Sequence, residues 1–150
     1  MVTPAPLRLL YVASDGRARS GPAWGEHNMA VIAWIVGLAL IIMMGGSGAM
    51  KLMDHQMAQD NRKHLGLTAG LSRAIGGAEV AAAVGFFIGL LVDDNAEWIG
   101  ALAAIGVIFL MIGAVIYHQR AGDEPKALVP AIVVLVLAIV YFVTFGQVGS

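Results

Sequence analysis

The chain has 150 residues, of which 59% are hydrophobic and 13% charged, with a formal net charge of −1. A soluble domain of this size carries about 25% charged residues, so half of the usual charge is missing, and no basic footprint for nucleic acid or acidic tail is left. Cysteine is absent, which excludes disulfides, thiol redox chemistry, thiolate metal sites and covalent c-type haem within this chain. The charge is missing from four long blocks, which is the pattern of an integral membrane protein. The expected fold is therefore all-α: a membrane four-helix bundle behind a disordered N-terminal tail.

Residues 1–28 mix Pro, Gly, Ser and Arg with short apolar runs and read as a mobile tail. Leu7 to Ala13 is interrupted by Arg8 and is too short for a signal-peptide core, and Pro4, Pro6 and Pro22 oppose a continuous helix. Met29, at the edge of the first apolar block, stands as an alternative start. Residues 29–150 then form one four-span domain.

The first span is expected over 29–53. At 1.5 Å per residue it covers roughly 37 Å, long enough to project past the hydrocarbon and leave Lys51 near the interface. Gly45, Gly46 and Gly48 weaken it locally, and a kink there is one possibility. The longest polar connection follows, with His55, Asp60, Arg62, Lys63 and His64, and Thr68 is a fair N-cap for what comes next.

The second span, 72–92, is the one the others are organised around, because it carries Glu79. A carboxylate inside a bilayer costs roughly 3 kcal/mol or more on insertion scales and is rarely kept without a partner or a task. Gly77, Ala81, Gly85 and Gly89 recur every four residues as a small-residue ridge for close helix packing. An acidic turn, Asp93 to Glu97, leads to the third span, 98–117, framed by Trp98 and Tyr117 as interfacial aromatics. A second polar connection starts at His118. The fourth span, 127–145, has Pro130 in its expected first turn, where proline is tolerated, and reads as a lipid-facing or supporting helix.

Lys51, Arg62, Lys63, Arg73, Arg120 and Lys126 lie in or beside the connections after spans one and three. The turn after span two and the C-terminus hold no Lys or Arg. The positive-inside rule then puts the two longer connections in the cytoplasm and both termini outside, with Arg8, Arg17 and Arg19 opposing. The expected location is the cytoplasmic membrane.

Four alternating spans bring Lys51, Arg73, Glu79 and His118 to one membrane face. Lys51 is the better counter-ion for Glu79, because antiparallel neighbours set the end of one helix beside the start of the next. Arg73 lies about 9 Å along the axis on another side of the helix. Gly48 and Gly76 would let the two helices approach. Two readings stay open: a structural ion pair pinning the first two spans, or a polar pocket in which Glu79 binds a proton, cation or polar head group, with Arg73 and His118 at its mouth. No residue stands out as catalytic. His55, Asp60 and His64 match no metal motif and read as solvated loop residues, and no second histidine lies within a span to pair with His118 on a haem.

Gly48-Ala49-Met50-Lys51-Leu52 resembles the G-x-x-K-L of the DoxX-like membrane proteins, and Arg73-Ala74-Ile75-Gly76-Gly77-Ala78-Glu79 is similar to their R-x-x-G-x-x-E. Met111 to His118 looks like the same family's third-span ending, and the likeness runs from about Met29 to Phe142. It implies a four-helix membrane protein with its polar cluster at this face. Some relatives look like small subunits of membrane oxidoreductases acting with quinones, or partners in redox-defence complexes. The leading expectation is a non-catalytic accessory or small-ligand-binding subunit, with no activity alone and no cofactor of its own, a quinone entering only through a partner complex. The alternatives are a membrane subunit of a quinone-linked oxidoreductase and a proton- or cation-coupled carrier. The bilayer, a soluble or membrane oxidoreductase and further copies of the chain are the expected partners; nucleic acid is not.

Overall fold

A computed structural model describes the backbone over residues 23–91 and 97–148, and side chains over 28–91 and 98–144. Helix α1 spans Ala23–Leu52, α2 Gln56–His64, α3 Ala69–Leu91, α4 Glu97–Arg120 and α5 Pro125–Val148. Stretches of α1, α3, α4 and α5 are long and apolar enough to cross a membrane: Asn28–Leu52, Ala69–Leu91, Trp98–Arg120 and Pro125–Thr144. The all-α, four-span expectation is met. The tail expected over residues 1–28 lies outside the described residues as far as 22; from Ala23 the chain is already helical, so α1 starts upstream of Met29.

Each long helix packs on two others, in the cyclic order α1, α3, α4, α5, and neighbours are antiparallel. Gly37, midway along α1, abuts Leu90 at the end of α3, while Gly48 near the end of α1 abuts Gly76 near the start of α3, and Gly89 near the end of α3 abuts Gly100 near the start of α4. Leu40, Phe86, Val107 and Tyr141, one from each long helix, are fully buried at the bundle axis. Phe86 and Tyr141 meet edge to face at 4.9 Å. Ile35, Ile42, Phe87, Phe109 and Val143 point outward and are exposed. In water such a surface would aggregate; in lipid it is solvated, and close packing rather than the hydrophobic effect holds the helices together.

Three helices end on the same membrane face by the same device. After α4, Asp123 N–H donates to the His118 carbonyl and Gly122 N–H to that of Gln119, with Gly122 at φ 76°. After α2, Leu67 N–H reaches Arg62 and Gly66 N–H reaches Lys63, with Gly66 at φ 67°. After α1, His55 N–H reaches Met50 and Asp54 N–H reaches Lys51, with Asp54 at φ 52°. These paired bonds satisfy the orphan carbonyls of each last turn and reverse the chain. Asp54 tolerates the left-handed region better than most residues. It is held there by Arg62 Nη1 on its carboxylate at 2.7 Å and by Gln59 Nε2 on its carbonyl at 2.8 Å.

Two local expectations need correction. The polar connection after span one is not a plain loop: residues 56–64 form α2, whose first N–H groups are helped by His55 Nδ1 accepting from Met57 N–H at 3.3 Å. A nine-residue polar helix with no buried residue shows no apolar period by which to find it. Pro130 is the sixth residue of α5, not in its first turn, because Pro125 takes the first position. There it removes a hydrogen bond to the Lys126 carbonyl.

Candidate functional site

Thr68 Oγ1 accepts from Leu71 N–H at 3.2 Å and starts α3 at Ala69. Glu79 is therefore the eleventh residue of a 23-residue helix, deeper than a start at Ser72 would put it. It is 3% exposed. Lys51, in the last turn of α1, donates from Nζ to both carboxylate oxygens, at 2.8 Å to Oε1 and 2.7 Å to Oε2. The same ammonium donates to Ser47 Oγ, one turn earlier on α1, at 2.7 Å. Both charges are thus balanced, and all three ammonium donors have acceptors.

The spacing of the two charged motifs has a direct structural meaning. In each helix a glycine precedes the charge by three residues, on the same face: Gly48 before Lys51 and Gly76 before Glu79. A Cβ on Gly48 would lie 2.6 Å from the Gly76 carbonyl oxygen, and one on Gly76 would lie 2.8 Å from Lys51 Cβ. Backbone touches backbone here, and that closeness brings a lysine from one helix end within hydrogen-bond distance of a carboxylate on the next.

The pair forms one wall of a cavity of about 610 Å³ between the four long helices, capped by the segment after α2. Its body is apolar, with Met43 and Met44 of α1, Ile75 of α3, Leu110 and Met111 of α4 and Val134 of α5. Ser47, Lys51, Asn61, Glu79, Tyr117 and His118 supply polar groups. Pro130 and Ala131 also line it, so α5 is more than a supporting helix.

His118 lines this cavity; Arg73 does not. Arg73 is exposed on α3, because six residues turn a helix by about 240° and carry it away from the face that holds Glu79. The packing glycines divide in the same way. Gly85 meets Ala103 and Gly89 meets Gly100 on α4, with the Tyr141 hydroxyl in the same gap, whereas a Cβ on Gly77 would meet nothing within 4 Å. A row at four-residue steps drifts by about 40° each time, so the expected ridge leaves the interface at its Gly77 end.

The sequence reading missed a second polar feature. The turn after α4 folds Asp123 back over the helix end, where its carboxylate meets His118 Nδ1 at 2.6 Å and His64 Nε2 at 2.5 Å. This clasp ties the end of α2 to the α4–α5 turn, beside Leu65 and Leu67, which cover the cavity. The hydrogen bond from His118, then that from His64, holds the Asp123 carboxyl below its ordinary value near 3.8. Gly122 directly before Asp123 was the available signal, since a glycine just past a helix end reverses the chain. Among the described residues no cluster of three or more His, Asp or Glu side chains is arranged to hold a metal ion.

No curated protein and no solved structure matches this chain. The family model that does match is that of the DoxX-like family, over residues 35–141. The match runs from within α1 to within α5 and takes in the Lys51–Glu79 pair, His118 and Asp123. With four membrane-crossing helices and this match over more than two thirds of its length, the chain belongs to the DoxX-like family.

Proposed function

We propose that this multi-pass membrane protein is a non-catalytic accessory subunit that holds a small ligand in the cavity against Lys51 and Glu79. The observation that carries this reading is the setting of the ion pair. A pair serving only to pin two helices needs no free volume beside it, yet this one forms the wall of a space within the roughly 300–1,000 Å³ range of small-molecule sites. An apolar body with a few convergent polar groups is also the usual make-up of such sites. In this reading any redox centre or catalytic group that acts on the ligand belongs to a partner chain. The subunit sits in the cytoplasmic membrane with α2 and the α4–α5 turn on the cytoplasmic side, where Arg62, Lys63, Arg120 and Lys126 favour them.

The test uses phenol, an uncharged ring with one hydroxyl, as a probe of the purified protein in detergent. Phenol is expected to raise the thermal midpoint of the wild type. The double variant Lys51→Met/Glu79→Gln, which keeps the bulk of both side chains, is expected to fold but to lose that rise. An equal rise in both proteins would reduce the pair to a structural role.

A further inference from the structure

The cavity is not closed on all sides within the membrane. Towards one end of the bundle α3 and α4 are locked together, a Cβ on Gly85 or on Gly89 lying 2.8 Å from an atom of α4. Towards the other end they part. Gly106 and Gly113 of α4 line the cavity, yet a Cβ on either would meet nothing within 4 Å. Gly106 is exposed and Phe109 is 70% exposed, although both sit midway along the α4 span. By the 100° step, Gly106, Leu110, Gly113 and Tyr117 form one stripe along α4. Leu110 and Gly106 of this stripe also border a second hollow, about 380 Å³, on the outer surface between α3 and α4, lined by Ala78, Ala82, Leu102 and Ala103. The inner cavity and this outer groove share a border at the level of the hydrocarbon.

We infer that the ligand is an uncharged, lipid-soluble molecule with a hydrogen-bonding head and one apolar chain, and that it reaches the cavity sideways from the bilayer between α3 and α4. The inference rests on the ligand-binding reading above and adds the ligand's class and route. The head is uncharged because Lys51 already matches Glu79, with the ammonium bonded to both oxygens. An ionic head would bring an unbalanced charge into a low-dielectric site. Ser47, Tyr117 and His118 around the pair give such a head donors and acceptors. The chain follows the gap past Gly106 into the outer groove, whose small side chains leave room for it. A water-soluble ligand would need no opening at this depth.

The experiment is photolabelling in lipid nanodiscs with hexadecanol carrying a mid-chain diazirine, followed by mapping of the labelled residues. Labels are expected on α3 between Ile75 and Ala82 and on α4 between Leu102 and Tyr117, above the general labelling of lipid-facing positions. A Cβ at Gly113 would meet nothing within 4 Å, and Gly113→Leu, whose branched side chain extends from there into the gap, is expected to cut that labelling severalfold. Gly46→Leu, at an exposed position where an added Cβ likewise meets nothing within 4 Å and which lies outside the cavity, is expected to leave it unchanged. Probes with the same chain and an amine or sulfate head are expected to label this region no more than other lipid-facing positions, a comparison that needs no variant. Even labelling around the whole bundle, or equal labelling by the charged probes, overturns the inference. If that happens while phenol still stabilises the wild type and not the double variant, the cavity binds a ligand of another class; if phenol also fails, both readings fall.

Discussion

Lys51 and Glu79 are partners with unequal freedom. The lysine side chain is 18% exposed and the glutamate 4%, and lysine has a four-carbon stem with which to carry its charge outward. Losing one partner therefore has unequal consequences. Lys51→Met strands a carboxylate in the bundle and is expected to cost about 3–5 kcal/mol. Glu79→Gln leaves an ammonium that keeps Ser47 as an acceptor and can turn towards water, at an expected cost of about 1–3 kcal/mol. Reversible unfolding in mixed micelles measures both, and equal losses would mean that the lysine is held as rigidly as the glutamate. Asp123 gives a pH-dependent counterpart outside the membrane-spanning segments. Its carboxyl is held below its ordinary value in the folded protein by hydrogen bonds from His118 and His64. The stabilisation is thus complete above the unfolded value near 4 and fades as pH falls through the lowered folded value. Asp123→Asn is expected to flatten this acid limb of the melting curve while leaving the cavity residues in place. An unchanged limb would show that the clasp does not form in solution.

Among the helices, the α1–α3 contact is the one that assembles the site. Gly48→Ala would press a methyl group into the Gly76 carbonyl and the Val80 backbone, with an expected loss of about 1–3 kcal/mol from overpacking. Because Gly48 lies one turn from Lys51, the same change should also part the ion pair. Gly46→Ala is the control: nothing lies within 4 Å of the added methyl, so replacing a helix-interior glycine is expected to stabilise by about 0.5–1 kcal/mol. Melting of the two variants side by side separates packing from propensity; a loss in both would mean that the glycine patch is needed as a bend. At this scale the sequence was informative where a signal repeats or is chemically costly. The four spans follow from long charge-free blocks, and the Lys51–Glu79 partnership follows from one buried carboxylate and antiparallel order. Helix α2 was not legible because a short polar helix has no apolar face. Of the Asp123 clasp only the reversal at Gly122 was legible, because His64 meets Asp123 from 59 residues away and no local pattern pairs them. The outward positions of Arg73 and Gly77 needed only the helical angle carried through to the end.

For the whole molecule, the four long helices form a ring locked at one end of the bundle by α3–α4 glycine contacts and holed at the other by the cavity. The face that carries the cavity also carries α2, the Asp123 clasp and most of the Lys and Arg residues. The absence of cysteine makes its sidedness easy to measure, since any single introduced thiol is unique. With a membrane-impermeant maleimide on intact cells, Asp60→Cys is expected to stay unlabelled until the membrane is opened, and Asn95→Cys, in the opposite connection, to react at once. The reverse pattern would invert the proposed orientation without touching the fold. The site itself depends on the coupling between the two charged residues. In a double-mutant cycle of unfolding free energies, Lys51→Met/Glu79→Gln is expected to recover most of the stability that Lys51→Met alone loses, since no charge is then left buried without its partner. Losses that simply add would mean that Lys51 and Glu79 do not meet inside the membrane.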